Sequence, residues 1–253
     1  MEKENQTMKK RILALLLSLL MAGVPALAAE TDVPVPDAGE EVSAPAPAPG
    51  ESDSAPAPEP DTADPEAAIG AAANPFTDVK DDSPFLPGIL YAVARGITNG
   101  TSATTFSPYV ICTHAQILTF LWRGWGSPEP GIENPFPDIK PEAYYYKAAL
   151  WSYEQGLTDA SFAPYAYCTR LQAVTYLWKL AGAPSAQESG LPFTDIPDDP
   201  DARNAVAWAS MEQSITNGTT ETTFSPAKRC TRAQIVTFIY RGRDLFRNQG
   251  ADA

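Results

Sequence analysis

A single histidine and three cysteines are all that 253 residues offer toward metal or imidazole chemistry. Cys112, Cys168 and Cys230 stand 56 and 62 residues apart and His114 is near only the first, so no stretch has zinc-site spacing. There is no Gly-rich phosphate loop and no G-x-S-x-G turn. Enzyme classes that are recognisable by motif are disfavoured, and no cofactor or metal is implied. Basic residues are missing altogether from 29–73, which holds eleven of the 31 acidic residues and nine of the 25 prolines. Residues 74–253 carry 14 basic and 18 acidic residues, so the net charge of -13 belongs mainly to that tail. A nucleic-acid partner drawn by overall charge is therefore not expected, and the remaining 180 residues are enough for one core.

Long apolar runs are also scarce. The run Ile12 to Val24 follows Lys9, Lys10 and Arg11 and leads into Ala26-Leu27-Ala28. A positive start, a short apolar stretch and small residues at −3 and −1 read as a signal peptide over 1–28, cleaved after Ala28. The run is shorter than the roughly 20 residues of a spanning helix, so no transmembrane anchor is expected after cleavage. Residues 29–73 alternate Ala, Pro, Asp, Glu and Ser, as in Ala44-Pro45-Ala46-Pro47. One charge sign and no aromatic residue give nothing to offset ordering entropy, so a disordered acidic linker of polyproline II character is expected.

The rest repeats itself. Phe76-Thr77-Asp78, Phe136-Pro137-Asp138 and Phe193-Thr194-Asp195 open three units. Each continues to Gly96-Ile97-Thr98-Asn99-Gly100, Gly156-Leu157-Thr158-Asp159 or Ser214-Ile215-Thr216-Asn217-Gly218, then to Phe106-Ser107-Pro108, Phe162-Ala163-Pro164 or Phe224-Ser225-Pro226. Four residues after each proline comes a cysteine, followed by an apolar-periodic segment. Thr113, Thr169 and Thr231 sit at N-cap with Gln116, Gln172 and Gln234 three positions on, which predicts a capping box at the head of each helix. A first helix in each unit is predicted to enter through Pro84 or Pro87, Pro141 and Pro200. Such a helix-loop-helix unit cannot cover its apolar face alone, so three must pack together into an all-α fold.

Several recurrent residues have structural readings beside functional ones. Each cysteine precedes an N-cap and suits an apolar staple; a reactive thiol, an intermolecular disulfide or, if all three converge, a metal site are the alternatives. Asp78, Asp138 and Asp195 are expected to bond backbone amides at helix starts rather than calcium. Trp122, Trp178, Tyr240, Trp151 and Trp208 read as core, with a sugar platform as the other possibility. Arg170 and Arg232, at the first helical position, oppose the helix dipole. Either a nearby acid such as Asp138 or Asp195 pairs with each, or guanidinium and open helix-start amides together form an anion pocket. His114 takes the same place in the first unit and holds an anion less firmly near neutral pH.

The F-x-D-[VI] opening, the G-[IL]-T-[ND]-G turn, F-x-P and the T-R-x-Q segment resemble S-layer homology domains in three copies, at 74–130, 131–190 and 191–253. The resemblance implies a pseudo-threefold, three-prong spindle of helices. It also implies a noncatalytic module that anchors an exported protein to the bacterial envelope through an anionic, pyruvylated secondary cell wall polymer, bound in grooves between repeats. The ligand residues implied are Arg170 and Arg232, with His114 at the first-unit position and Asn99, Gly100, Asn217 and Gly218 shaping the groove loops. Departures are Cys for Ile, Gln for Glu, His114 for Arg, and a shorter middle loop in which Ala160 follows Asp159. The expected protein is secreted and held at the cell wall or S-layer surface. The competing reading is an envelope scaffold or S-layer assembly protein acting by protein–protein contacts.

Overall fold

The computed structural model describes residues 73–247; the expected signal peptide and nearly all of the expected linker lie outside them. Six α-helices form: α1 (Leu86–Ala94), α2 (His114–Gly124), α3 (Tyr146–Glu154), α4 (Arg170–Leu180), α5 (Pro200–Ala207) and α6 (Arg232–Arg241). A π turn, Trp208–Glu212, extends α5, and a 3₁₀ turn, Arg243–Phe246, follows α6. Among the described residues there are no strands, only three isolated bridges.

The even-numbered helices begin as their sequences predict. Thr113, Thr169 and Thr231 each accept a hydrogen bond from the amide three residues on, at 3.4, 3.3 and 3.3 Å. The glutamine Oε1 returns to the threonine amide at 3.0, 2.9 and 3.0 Å, so two otherwise orphaned donors are satisfied at each start. The odd-numbered helices are weaker alone. With nine, nine and eight residues they fall short of independent stability, and only α5 has a side-chain cap, Asp199 accepting from Ala202 at 2.7 Å. Proline lies in the first turn of α1 and α5, but α3 starts at Tyr146 instead of Pro141. Lys140 to Ala143 forms a turn there, closed by the Ala143 amide on the Lys140 carbonyl.

Tertiary packing supplies what the short helices lack, and it does so across units. α1 packs on α6, α2 on α3, and α4 on α5. The first helix of each unit is thus covered by the second helix of another, and the pairing closes back from the last unit to the first. The backbone closes in the same way. The Cys112 amide donates to the Cys230 carbonyl, Cys168 to Cys112, and Cys230 to Cys168, each at 2.9 Å. Around this ring lies a core that includes Phe106, Phe120, Phe224, Phe238 and Trp151, all buried. Trp178 and Trp208 are buried too, while half-buried Trp122 donates its indole N–H to the Pro128 carbonyl at 2.9 Å.

Each odd-numbered helix ends by turning left-handed. Gly96 and Gly156 take φ of 65° and 66°, and Ser214 takes 54° at the matching place. The next amide caps the helix, Ile97 on Ala92 and Leu157 on Ser152, but Ile215 reaches Ala209, one residue further back. The π turn therefore absorbs one extra residue in the third unit and restores the register. Serine has a Cβ that disfavours the left-handed region, so Ser214→Gly is expected to raise stability by about 0.5–1 kcal/mol. A denaturant titration reads this directly, and an unchanged or lower midpoint counts against strain at that turn.

Candidate functional site

The residues at the starts of α2, α4 and α6 reach into neighbouring units in a fixed order. Arg232, from the last unit, donates from Nε to the Phe106 carbonyl at 3.1 Å and from Nη2 to Thr98 Oγ1 at 3.1 Å in the first. Its guanidinium carbon lies 5.1 Å from the Phe106 ring centre and 5.3 Å from that of Phe120. Arg170 makes the same contacts in the last unit: Nε to the Phe224 carbonyl at 3.0 Å, Nη2 to Thr216 Oγ1 at 2.8 Å, and ring centres of Phe224 and Phe238 at 5.0 and 5.5 Å. Both arginines have 0% exposure. Carbonyl, hydroxyl and two aromatic faces together hold a buried guanidinium that would be costly in an apolar site.

The same turns are held from the other side by carboxylates. Asp78 accepts the Phe106 and Ser107 amides at 2.9 and 2.7 Å, and Asp195 accepts those of Phe224 and Ser225 at 2.8 and 2.8 Å. These aspartates do bond backbone amides, as expected, but amides 28 to 30 residues away instead of a helix start. The Phe224–Ser225 peptide is thereby gripped on both sides, with a cation at its carbonyl and an anion at the Ser225 amide. Ser107 and Ser225 take positive φ of 57° and 60° within the grip.

Above each arginine lies a hydroxyl-rich loop. Thr101 Oγ1 meets Ser107 Oγ at 2.7 Å, and Thr219 Oγ1 meets Ser225 Oγ at 2.6 Å. Gly100 and Gly218 are buried with φ of 82° and 78°, and a Cβ there would come within 2.6 Å of the Thr105 carbonyl oxygen or 2.7 Å of that of Thr223. Only glycine fits. The neighbouring Asn99 and Asn217 are exposed.

The position in the first unit differs. His114 is half-buried, stacks on Phe162 with centroids 6.3 Å apart, meets Tyr176 edge-on at 6.3 Å, and shares a hydrogen bond with Gln172 Oε1 at 3.1 Å. Because an amide oxygen only accepts, Nε2 carries the proton. The loop it faces is shorter, and the Phe162 amide donates to the Asp159 carbonyl at 3.2 Å. Asp159 turns its own carboxylate back on the Ser161 amide at 2.8 Å.

The helix-start amides expected to be open are in use. His114 and Ala115 donate to Ala166 and Pro164, Arg170 and Leu171 to Lys228 and Pro226, and Arg232 and Ala233 to Val110 and Pro108. No anion pocket of free amides exists at these three starts, because the neighbouring unit supplies carbonyls to them. The cysteines are fully buried in the core, and none forms a disulfide. Burial first, then the nearby Cys230 and Cys112, push the Cys168 thiol well above its usual range, which removes thiolate character. Among the described residues no group of three or more His, Cys, Asp or Glu is placed to hold a metal ion. No described helix is long and apolar enough to cross a membrane.

Comparison with known proteins agrees with this geometry. The family model of the S-layer homology domain matches residues 75–118 and 192–236. The unmatched stretch between them contains the short middle loop, whereas His114 lies inside the first match. The chain is 34% identical over 178 residues to an endoglucanase of Bacillus sp. (strain KSM-635), covering 66% of this chain and 18% of that protein. It is 30% identical over 129 residues to a cell surface protein of Thermoanaerobacter kivui, covering 46% and 16%. It is 32% identical over 110 residues to cell surface glycoprotein 1 of Acetivibrio thermocellus, covering 43% and 5%. The chain therefore spans less than a fifth of the length of each of these relatives.

Two outcomes follow from the clamps. Thr216→Val removes a hydrogen bond to a buried charged group and is expected to cost about 2 kcal/mol in chemical denaturation. The matching Thr158→Val, at the unit faced by histidine, is expected to cost no more than about 0.5 kcal/mol; equal losses would contradict the clamp. Burial lowers the His114 pKa below 6.5, with the Gln172 bond opposing. The unfolded chain then takes up the proton first on acidification, so stability is full above 6.5 and declines as pH falls below it. His114→Gln is expected to abolish that decline, which melting curves across the window report.

Proposed function

We propose that this chain is a noncatalytic anchor that holds an exported protein at the bacterial cell surface by binding an anionic, pyruvylated secondary cell wall polymer. The observation that carries this reading is the pair of S-layer homology matches, each of which includes one of the loops clamped by a guanidinium from another unit. Two of the relatives are named as cell surface proteins. The endoglucanase is matched over only 18% of its length, as befits a shared attachment segment beside a separate catalytic one. We take the middle unit as a third repeat, and the three interlocked helix pairs as the prongs of a pseudo-threefold spindle. Residues 1–28 direct export, and 29–73 space the module from its surroundings.

In this reading the ligand enters beside exposed Asn99 and Asn217. A ketal carboxylate accepts from the Nη2 groups of Arg232 or Arg170, taking the place of the Thr98 or Thr216 hydroxyl, and the Gly100 or Gly218 turn gives way. A carboxylate brings a full opposite charge and a bidentate match to the guanidinium where the hydroxyl brings only a dipole, which drives the exchange. His114 faces the third groove without a guanidinium and contributes less affinity.

Cosedimentation with purified walls tests this. The full chain is expected to pellet with native walls, and to stay in solution with walls stripped of the secondary polymer or carrying polymer without pyruvyl groups. Asn99→Ala with Asn217→Ala changes exposed groove-loop residues and leaves both clamps in place; it is expected to weaken pelleting several-fold while circular dichroism remains that of the parent. Undiminished retention on stripped walls would overturn the glycan reading in favour of protein contacts.

A further inference from the structure

The segments 108–111, 164–167 and 226–229 form a collar around the cysteine ring, cross-tied by the bridges Ile111 with Thr231, Tyr167 with Thr113, and Arg229 with Thr169. Nothing in the clamps or the grooves uses its outer face. Tyr109, Val110 and Tyr165 are 51%, 48% and 43% exposed, which puts them among the most exposed large hydrophobic residues of the fold. The Arg229 guanidinium is exposed and lies 4.4 Å from the Tyr167 ring centre, with half-buried Lys228 beside it. The three segments read Pro-Tyr-Val-Ile, Pro-Tyr-Ala-Tyr and Pro-Ala-Lys-Arg, so they present tyrosine faces and two cations and contain no acidic residue of their own.

A patch of this chemistry, on a chain with a net charge of -13, calls for a ligand both acidic and proline-rich. Tyrosine faces take prolines in polyproline II conformation because little ordering entropy remains to be lost. Cations beside them select for carboxylates interleaved with those prolines. The chain carries such a segment itself: Pro56-Ala57-Pro58-Glu59-Pro60-Asp61, followed by Asp64, Pro65 and Glu66. Residues 56 and 61 precede Ala73, where the described fold begins, by 17 and 12 residues. An extended connection of that length reaches roughly 35–50 Å, and a tether of this size sustains an effective concentration of about a millimolar. Weak individual contacts suffice at that concentration.

We propose that the collar docks residues 56–66 of the same chain, the tyrosines receiving the prolines while Lys228 and Arg229 receive the carboxylates. Docking would give the acidic stretch a fixed exit from the fold. This is independent of wall binding, which engages the clamped loops.

Zero-length carbodiimide coupling of the full chain, read by peptide mass spectrometry, tests the proposal without any wall. Lys228 is expected to join Glu59, Asp61, Asp64 or Glu66 at several times the yield of Lys80, Lys140, Lys147 and Lys179, and to lose that excess in about 0.5 M salt, where charges are screened beyond a few ångströms. Tyr109→Ser with Tyr165→Ser, at exposed positions, is expected to lower the Lys228 yield with folding intact by circular dichroism. Equal yields at all five lysines, or a yield unchanged in the tyrosine variant, would overturn the proposal. A mixture of isotopically light and heavy chains separates the sources of the segment: coupling mainly between light and heavy would assign the collar to a second copy and overturn docking within one chain.

Discussion

The fold depends on charges placed on both sides of one peptide. At Phe224–Ser225 a guanidinium from the preceding unit takes the carbonyl and Asp195 of its own unit takes the Ser225 amide; Phe106–Ser107 is held likewise by Arg232 and Asp78. Each contact joins residues far apart in sequence, so each closes a long loop when it forms. A buried guanidinium stripped of its carbonyl and hydroxyl partners would be left at a cost of several kcal/mol. The clamp is therefore all or nothing for the turn it holds, and that turn is tied to the loop carrying Gly100 or Gly218.

The order of these contacts matters as much as their strength. Every unit gives its second-helix start to one neighbour and receives one from the other, in the helix pairing and in the amide bonds at those starts, and two of the three starts add a clamp. The arrangement closes after three, with Arg232 in the last unit returning to Thr98 in the first. A linear repeat array would expose an apolar face at each end and need capping units. Closure removes those ends, which is how helices of eight to eleven residues persist.

Much of this was legible in the sequence, and the part that was not has a common cause. Thr113, Thr169 and Thr231 with their glutamines announced the even-numbered helices because a capping box is local, confined to four consecutive residues. Gly100 and Gly218 were legible as turn glycines for the same reason. The partner of an amide, by contrast, is set by what folds against it. Asp78 and Asp195 resemble helix caps by spacing yet tie down turns some thirty residues on. Pro141 resembles a helix start, but Tyr144, Tyr145 and the half-buried Phe162 pack around Phe136, Ile139 and Ala143 and hold the intervening residues in a turn. The helix-start amides looked open because no sequence pattern shows that the stretch ahead of another cysteine will supply their carbonyls. Which helix covers which was likewise hidden, since the three units are nearly interchangeable by pattern.

The histidine position shows what the clamp contributes. Histidine is shorter than arginine and cannot span from a carbonyl to a threonine hydroxyl while lying between two rings. It keeps the rings, Phe162 and Tyr176, and finds a glutamine instead. With no guanidinium to hold its carbonyl, the Phe162 turn shortens and satisfies its own amide from Asp159. Loss of the long loop and loss of the arginine are thus one change seen at two places: a long hydroxyl-rich loop without a clamp would have no fixed position, and a clamp without a loop would bury a charge for nothing. The same reasoning explains why the middle loop departs from the two clamped ones.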